Sequence, residues 1–273
     1  MLYLCATPIG NLQDVTFRLV EVLKQADVIF AEDTRHTLQL LNHLGIEKPL
    51  ASYHKFNEQS RVEHILGLLD EGKNVALVSD AGMPCISDPG GVIAAAAAKA
   101  GKDFTVVPGA CAAVTALALS GLDCDRFVFE GFLPRVKSKM QQRLSELAQL
   151  TQTLIFYESP QRLGATLETM AQTFGNRPAA VCRELTKLHE EAVRLPLTEL
   201  AKHYSQPPKG ECVIVVSGVD PAKAGESNPD ELLENMRALM ADGMKPKAAA
   251  KRASGAGFSA NELYALYIKN IDE

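Results

Sequence analysis

The chain lacks the long apolar runs that mark membrane proteins. None of its stretches approaches the about 20 consecutive apolar residues that a membrane-spanning helix needs. Its first residues, MLYLCATPIGNL, contain too short an apolar run, and no basic flank, for a signal peptide. We therefore expect a cytoplasmic protein that has no membrane partner.

The sequence is also poor in metal-binding and disulfide patterns. No two of its cysteines form a CxxC pair, and most of them fall in apolar stretches, which predicts buried, reduced thiols. The cysteines are Cys5, Cys85, Cys111, Cys124, Cys182 and Cys212. The histidines do not have metal-ligand spacing on a shared helix, since His36 and His43 are seven residues apart and His54 and His64 are ten apart. We expect no metal site.

Basic residues are too few to make the whole chain attractive to nucleic acid. The 28 Lys and Arg residues are outnumbered by 33 Asp and Glu residues, which gives a formal net charge of −5. Contact with a nucleic acid would therefore depend on local basic segments. The composition, 47% apolar and 22% charged, is that of a soluble globular protein, and 273 residues suffice for two ordinary domains and an appendage.

Three common glycine signatures are missing. The first predicted strand is not followed by GxGxxG, and neither GxxxxGK[ST] nor GxSxG occurs anywhere. These absences count against a dinucleotide-binding Rossmann site, a P-loop nucleotidase and an α/β-hydrolase elbow, respectively.

The first half alternates short apolar runs with amphipathic ones. Strands are predicted at Leu2–Ala6, Val28–Ala31, Leu50–Tyr53, Val75–Val78 and Phe104–Val107. Helices are predicted at Val15–Gln25, Thr34–Leu44, Ser60–Glu71, Gly90–Lys99 and Ala112–Leu119. This alternation is typical of an α/β fold with a mostly parallel sheet covered on both faces.

A second α/β segment begins after Gly121. Its predicted strands are Arg126–Glu130, Thr153–Tyr157, Ala179–Arg183, Glu190–Leu195 and Cys212–Ser217, and their spacing indicates a mixed sheet. We predict domains at 1–120 and 121–218, a linker over 218–231, and a small helical appendage over 228–273. The pattern of the appendage fits a helix-turn-helix unit and a simple helical cap equally well.

Four of the first-half strands end in unusual loops. These loops are Thr7–Asn11, Glu32–Thr37, Ser79–Gly91 and Pro108–Ala113. Because the carboxyl ends of parallel strands share one rim of a sheet, the four loops should meet there and form an active site. Their glycine turns can present backbone N–H groups to a carboxylate, an adenine edge or a ribose oxygen, although any one of them alone could be an ordinary turn.

Charged residues cluster at the same kind of position. Glu32 and Asp33 directly follow a strand, and at least one of them is predicted to point into the cleft. Alternatively, Thr34 caps the following helix and the two acids lie near its positive end. Tyr157 and Glu158 end a second-half strand, and Arg183, Glu184 and Lys187 end another, where such ion pairs are often only structural.

These motifs resemble one protein family. The matching segments are TPIGNL at Thr7–Leu12, ADVIFAEDTR at Ala26–Arg35, ALVSDAGMPCISDPG at Ala76–Gly90, VVPGACAAVTALALSG at Val106–Gly121, FEGFLP at Phe129–Pro134, TLIFYESPQRL at Thr153–Leu163, RELTK at Arg183–Lys187 and KGECVIVV at Lys209–Val216. The chain resembles the tetrapyrrole (corrin/porphyrin) methylase family, and within it the members that modify ribosomal RNA. The resemblance covers about residues 1–218, and the C-terminal helices are similar to the helix-turn-helix appendage of those members.

The resemblance implies a two-domain methylase with S-adenosylmethionine between the domains. It also implies 2′-O-methylation of a cytidine in the decoding region of 16S rRNA, in the small ribosomal subunit, by a homodimer. The residues implied to bind the cofactor are Ser79, Asp80, Ala81, Gly82, Pro108, Gly109, Cys111, Ala112, Ala113, Tyr157 and Cys182. Those implied to face the acceptor are Thr7, Pro8 and Gly10, together with Glu32–Arg35.

The sequence departs from the family pattern at a few positions. Met83 and Ala110 stand where threonine and proline are usual in the family, Cys85 and Gly91 are also unusual, and Gln161 replaces a frequent histidine.

Removing a proton from a ribose hydroxyl requires a base. The candidates are Glu32, Asp33 and Glu158, with the first two favoured because their strand belongs to the rim that carries the cofactor loops. Arg35 or Lys187 would hold a nearby phosphate. Two basic segments, over 135–143 and 245–252, could neutralise further phosphates, although charge runs are more often solvated helix faces. Their candidate RNA contacts are Arg135, Lys137 and Lys139, in a segment that reads as a loop, and Lys247, Lys251 and Arg252.

Two other functions fit part of the sequence. A methylase of the same fold could act on a carbon atom of a tetrapyrrole precursor, but AEDTR, RELTK and the basic C-terminal helices are not expected for a small macrocycle. A non-enzymatic RNA-binding factor in ribosome assembly would explain the basic segments but leaves the cofactor-type loops without a use.

Overall fold

The computed structural model describes residues 1–220, 229–241, 243–254 and 259–270. Its strands are β1 (Leu2–Cys5), β2 (Val28–Ala31), β3 (Leu50–Ser52), β4 (Val75–Val78), β5 (Phe104–Val107), β6 (Phe127–Phe132), β7 (Thr153–Glu158), β8 (Pro178–Arg183), β9 (Glu191–Pro196) and β10 (Cys212–Val216). Its helices are α1 (Phe17–Gln25), α2 (Thr34–Leu44), α3 (Glu58–Asp70), α4 (Gly91–Lys99), α5 (Ala112–Ser120), α6 (Lys137–Leu147), α7 (Leu163–Phe174), α8 (Leu197–His203), α9 (Pro229–Ala241), α10 (Pro246–Ala253) and α11 (Ala260–Lys269).

The first sheet has the strand order β3-β2-β4-β1-β5, and every pairing in it is parallel. Alternate residues of its strands point to two separate cores. On one face, Leu23 of α1 and Leu41 of α2 pack against the sheet, and on the other face Ile65 of α3 and Ile93 of α4 do so. The predicted parallel sheet with two covered faces is confirmed.

The second sheet has the order β6-β7-β10-β8-β9 and is mixed, as predicted. Only β6 and β7 pair in parallel, and the other pairings are antiparallel. Helix α5 packs on this sheet, where Ala116 and Leu117 contact the core around Ile155 and Cys182. The sequence assigned α5 to the first domain because it follows β5 directly, but its apolar face is buried against the second sheet.

Residues 1–144 and 152–217 form one compact unit that contains both sheets. Because both sheets belong to this unit, the predicted division at residue 120 into two domains is neither confirmed nor contradicted and remains a prediction. Among the described residues, no helix combines the length and the apolar character needed to cross a membrane. Nor does any group of three or more His, Cys, Asp or Glu side chains in those ranges come close enough together to hold a metal ion.

The other unit comprises residues 145–151 and the described part of 218–273. Helices α9, α10 and α11 have a core of their own, in which Met236 and Leu263 are fully buried beside Ala249. Ser259 and Glu262 form a capping box that begins α11. Most of the predicted linker, residues 221–228, and residues 255–258 of the predicted appendage lie outside the described residues, so the helix-turn-helix arrangement stays a prediction.

Candidate active site

Loops of the first sheet meet at the rim where its parallel strands end. Cys5, Ala31, Val78 and Val107 lie in register at the ends of neighbouring strands, so the chain leaves all four strands at one edge. Backbone hydrogen bonds then join the loop after β1 to the loop after β4: the N–H of Thr7 donates to the carbonyl of Gly82 over 2.9 Å, and the reverse bond is 3.1 Å long. The predicted convergence of these loops is confirmed.

Two glycines allow the backbones to approach closely at this rim. Gly82 has a φ of +81°, and a β-carbon there would lie 3.1 Å from Cγ2 of Ile9. A β-carbon on Gly109 would lie 3.0 Å from Cβ of Ala6. Glycine is required at position 82 by both conformation and space, whereas at position 109 the reason is space.

A cavity of about 440 Å³ opens beside these loops. Its walls come from both sheets. The first contributes the loops after β1, β2, β4 and β5, with the start of α5, and the second contributes the ends of β6 and β7, the loop after β8 and the start of β10. The residues that line it are Ile9, Glu32, Asp80, Ala81, Gly82, Met83, Ile86, Ser87, Asp88, Cys111, Ala112, Phe132, Tyr157, Glu158, Ser159, Pro160, Leu185, Glu211, Cys212 and Val213. Its size is within the range of small-molecule sites.

The cavity is acidic and otherwise largely apolar. Five carboxyl groups line it, those of Glu32, Asp80, Asp88, Glu158 and Glu211, and none of the described lining residues is a lysine or an arginine. Such a lining favours a ligand that carries positive charge and an apolar portion, and it disfavours a polyphosphate. S-adenosylmethionine carries a sulfonium, an ammonium, a carboxylate and an adenine ring, and its net positive charge and apolar ring match this lining.

Many of the residues predicted to bind the cofactor lie at this cavity. Asp80, Ala81, Gly82, Cys111, Ala112 and Tyr157 line it directly. Two others support the lining: the buried hydroxyl of Ser79 donates to the carbonyl of Gly82 over 3.2 Å, and the N–H of Ala113 donates to the Tyr157 hydroxyl over 3.1 Å. These contacts fix the loop after β4 and join α5 to β7.

Pro108, Gly109 and Cys182 do not line the cavity. Cys182 is fully buried, and its thiol donates to the carbonyl of Ala116 over 3.7 Å, within the core between α5 and the second sheet. The strand turns the Cys182 side chain toward α5, so this residue makes a core contact and not the predicted contact with the cofactor. Burial raises the pKa of the Cys182 thiol to about 11, so it stays neutral.

The three candidate bases have different surroundings. Glu32 lines the cavity, and burial, followed by the nearby charge of Asp80, raises its pKa. Asp33 is not among the lining residues: its carboxylate accepts from the N–H of Arg35 at 2.9 Å and pairs with the Arg35 guanidinium at 2.6 Å. Asp33, and not Thr34, is therefore the cap of α2, and its bond to Arg35 holds the pKa of its carboxyl far below the usual range.

Glu158 is committed to hydrogen bonds. One of its carboxylate oxygens accepts from the N–H of Ser159 at 2.8 Å, and the other accepts from the Thr166 hydroxyl at 2.7 Å. The Arg162 guanidinium lies 3.5 Å from the second oxygen. A carboxylate with both oxygens engaged is poorly placed to take a proton, so this geometry argues against the prediction that Glu158 is a base.

Thr7, Pro8 and Gly10, predicted to face the acceptor, line a second cavity of about 220 Å³. This cavity shares Asp80 with the larger one, so the two spaces adjoin at that side chain. Arg35 lines neither cavity and is highly exposed. The ammonium of Lys187 lies 2.9 Å from Glu184 and 3.1 Å from Glu211, so its charge is already paired.

Comparison with known proteins identifies the family. Residues 1–201 match the family model described as Tetrapyrrole (Corrin/Porphyrin) Methylases. The chain belongs to this family. It is 47% identical, over 97% of its length and 94% of the relative's, to a protein of Halalkalibacterium halodurans named Ribosomal RNA small subunit methyltransferase I.

Two further proteins show the extent of the methylase fold. A relative of the same name from Thermotoga maritima is 44% identical over 80% of this chain and 98% of its own, so it is the shorter protein by about a fifth. The solved structure of a uroporphyrin-III-C-methyltransferase from Thermus thermophilus covers 82% of this methylase and 97% of its own chain, with a TM-score of 0.55 and 23% identity. That likeness confirms the predicted fold.

The predicted basic contacts of this methylase are exposed. Arg135, Lys137 and Lys139 lie in or beside the start of α6, and Lys247, Lys251 and Arg252 lie on α10. A helix was predicted from Lys139, and α6 begins two residues earlier, so the interpretation of Lys137 as a loop residue was wrong. Lys247 also lies over the ring of Tyr264, at 5.9 Å from its centroid.

Sequence reasoning missed several residues of the cavity. Phe132, Leu185 and Val213 come from the second sheet, and their place at the cavity depends on how that sheet packs, which local pattern does not reveal. Asp88 lies in the loop after β4, whose composition was recognised, but only its first four residues were assigned to the site. The signal available was a second aspartate in the same glycine- and proline-rich loop.

Proposed function

We propose that this methylase transfers a methyl group from S-adenosylmethionine to the 2′-hydroxyl of a cytidine in the decoding region of 16S rRNA. The observation that carries the proposal is the acidic cavity at the strand-end rim, which shares Asp80 with a second, smaller cavity, in a chain that is 47% identical to a small-subunit rRNA methyltransferase. The first cavity suits the donor, and the second suits part of the acceptor.

The donor would be held by backbone groups of the loop after β4 and by the start of α5. S-adenosylmethionine supplies an electrophilic methyl group attached to a positively charged sulfur. The carboxylates of Asp80 and Glu32 would stabilise positive charge in the cavity, and Ile9, Phe132 and Val213 would contact the apolar part of the ligand. Ala81 and Gly82 offer no bulky side chain, so a ligand can approach the backbone there.

The acceptor would enter beside Thr7, Pro8 and Gly10. A ribose hydroxyl is a weak nucleophile at neutral pH, so the protein must orient it and receive its proton. Asp80 lines both cavities and is held in place, since its Oδ1 accepts from the N–H of Asp33 at 2.8 Å. Of the three bases that the sequence proposes, Glu32 alone lines the cavity without the committed hydrogen bonds of Glu158.

Affinity for RNA would come from the exposed cations outside the acidic cavity. The segments of α6 and α10 described above can neutralise phosphates without reading sequence, which makes binding salt-dependent. We further propose that the substrate is the small ribosomal subunit, that the enzyme is a homodimer, and that it acts in the cytoplasm, where this substrate is found.

The test is label transfer from tritiated S-adenosylmethionine to small ribosomal subunits that lack the modification. We expect label in 16S rRNA, on the ribose of a single cytidine, and no label in subunits that already carry the modification. Label on a base, on another RNA or on no RNA would contradict the proposal.

The same reaction mixture separates the two rival functions. A tetrapyrrole methylase would label a macrocyclic precursor and leave the subunit unlabelled. A non-enzymatic assembly factor would bind the subunit but give no binding heat with S-adenosylmethionine in calorimetry.

A further inference from the structure

Asp88 lies in the cavity wall, in a loop with an unusual backbone conformation. It lies in the loop between β4 and α4, in which Cys85 and Ser87 have φ values of +73° and +66° although neither is a glycine. Such left-handed residues are costly, and they occur preferentially at functional sites. The loop is also packed against the second sheet, since the Ser87 hydroxyl lies 3.0 Å from the position that a β-carbon on Gly131 would take.

The other carboxylates of the cavity have hydrogen-bond or ion-pair partners. An oxygen of Asp80 accepts from the backbone of Asp33, and both oxygens of Glu158 are engaged. Glu211 is mostly exposed, with its side chain 79% accessible, and pairs with Lys187. Glu32 and Asp88 also have a hydrogen-bond contact each, with the Asp80 backbone and the Ser79 hydroxyl, but burial favours the protonated form of both, which suits them to exchange a proton with a bound molecule.

These two carboxyls influence each other electrostatically. Burial raises the pKa of Asp88 to about 7, and the neighbouring charges of Glu32 and then Asp80 contribute to the rise, while the Ser79 hydroxyl acts in the opposite direction. Tyr157 of β7 and Cys85 of the same loop also lie within electrostatic range of Asp88. Adjacent acids in a partly buried site resist full ionisation, so the group holds a proton near neutral pH.

We propose that Asp88 is the proton acceptor for the nucleophilic hydroxyl, and that Glu32 is the positioning residue that tunes it. The inference rests on the proposed function. As the hydroxyl oxygen forms its bond to the methyl carbon, the carbon–sulfur bond breaks and leaves its electron pair on sulfur. The hydroxyl proton passes to the Asp88 carboxylate, which later returns it to solvent. No further reactant is needed.

The kinetic test is Asp88→Asn in the full-length enzyme, assayed on unmodified small subunits. We expect kcat to fall at least about 100-fold, the usual loss when a general base is removed. The affinity for S-adenosylmethionine, measured by calorimetry, should change less than threefold. Asp103→Asn is the matched control, because Asp103 is an exposed acid just before the amino-terminal end of β5, whereas the cavity lies beyond the carboxyl ends of the strands. Undiminished kcat in Asp88→Asn, or donor binding that falls together with kcat, would overturn the assignment.

The pH dependence gives a second kinetic test. The carboxylate is the active form, so kcat of the wild type should rise with pH up to about 7 and then level off. Asp88→Asn should lose this inflection while circular dichroism shows an intact fold. Persistence of the same inflection in the variant would assign it to another group and contradict the proposal.

A direct titration tests the pair without any catalytic assay. In the cofactor-free full chain, the ¹³C NMR signal of the Asp88 carboxyl should titrate near neutral pH, and Glu32→Gln should move that titration to lower pH by removing a negative neighbour. An Asp88 that titrates near pH 4, the usual value for an aspartate, in both proteins would exclude the coupling. This readout separates the two proposals, because a wild type that methylates no RNA refutes the proposed function alone, whereas an uncoupled Asp88 refutes this one.

Discussion

At the residue scale, the acids of the rim differ in the partners that surround them. Glu32 directly follows β2 and Glu158 is the last residue of β7, and both line the cavity. Glu158 is 3% exposed and hydrogen-bonded through both oxygens, whereas Glu32 has a raised pKa. Glu158 ties the end of β7 to α7 through the Thr166 hydroxyl. Its loss should therefore be felt in stability first.

Glu158→Ala should lower the free energy of unfolding by about 2–4 kcal/mol, because it leaves two donors, the Thr166 hydroxyl and the Ser159 N–H, without their acceptor in a buried site. Urea denaturation of the full chain measures the loss. Glu168→Ala is the matched control, since Glu168 is exposed on the same helix that carries Thr166. Equal stability of the two variants would show that the buried contacts contribute nothing.

Asp33 should contribute stability that depends on pH. Its hydrogen bond to Arg35 lowers its pKa in the folded chain, so the contribution is complete above the unfolded pKa, about 4, and is lost as pH falls through the folded value. Asparagine can also cap a helix, so Asp33→Asn removes the charge and keeps the cap. We expect the wild type to be more stable than this variant at pH 7, with a small difference that shrinks below pH 4. If the stability difference between the wild type and Asp33→Asn grew on acidification, it would contradict a lowered pKa of Asp33 in the folded chain.

At the scale of elements, the loop after β4 depends on Gly82. This residue is left-handed, pairs with Thr7 through two backbone hydrogen bonds, and has Ile9 where a side chain would go. Gly72 is left-handed to the same degree, with a φ of +75°, but nothing lies within 4 Å of the position of its β-carbon. Comparing substitutions at the two glycines therefore distinguishes the effect of backbone strain, present at both, from the effect of crowding, present at Gly82 alone.

Gly82→Ala should weaken binding of S-adenosylmethionine at least tenfold, because the new methyl group pushes Ile9 and the loop after β1 away from their positions. Gly72→Ala should reduce stability by about 1 kcal/mol through its φ alone and leave binding unchanged. Calorimetry and thermal unfolding of both variants give the comparison. If Gly72→Ala lost as much affinity as Gly82→Ala, backbone strain alone would explain the effect.

The elements of both sheets could be predicted from the sequence, because most of the strands are short apolar runs bounded by turns. Val28–Ala31, Val75–Val78 and Phe104–Val107 have the predicted bounds. The start of α1 was placed two residues early, since the Thr16 side chain caps the helix and makes Phe17 its first residue. Local signals of this kind act within a few residues, so a single sequence carries them.

The site could be predicted only where it follows from strand ends. The rim loops after β1, β2 and β4 were found because parallel strands bring their carboxyl ends together. The lining by Phe132 and Val213 depends on how the second sheet packs, and the place of Asp88 depends on left-handed backbone at Cys85 and Ser87. Neither residue is a glycine, so no residue preference indicates that conformation.

At the scale of the whole molecule, acidic and basic residues are concentrated in different parts of the protein. The cavity is lined by five acids and, within the described residues, by no lysine or arginine, whereas Lys247, Lys251 and Arg252 lie exposed on α10 of the C-terminal unit. A positively charged donor and a polyanionic RNA would thus be held by separate surfaces.

This separation predicts that the α10 cations affect RNA binding but not donor binding. Replacing Lys247, Lys251 and Arg252 together by alanine should weaken binding to small subunits and reduce the slope of log K against log salt by roughly one for each phosphate that is no longer neutralised. Affinity for S-adenosylmethionine should stay within twofold of the wild type. The matched control replaces Lys24, Lys73 and Lys99, three exposed lysines elsewhere, and removes the same net charge. If the control changes the salt slope as much as the α10 variant does, the attraction is a property of net charge and α10 has no specific part in RNA binding.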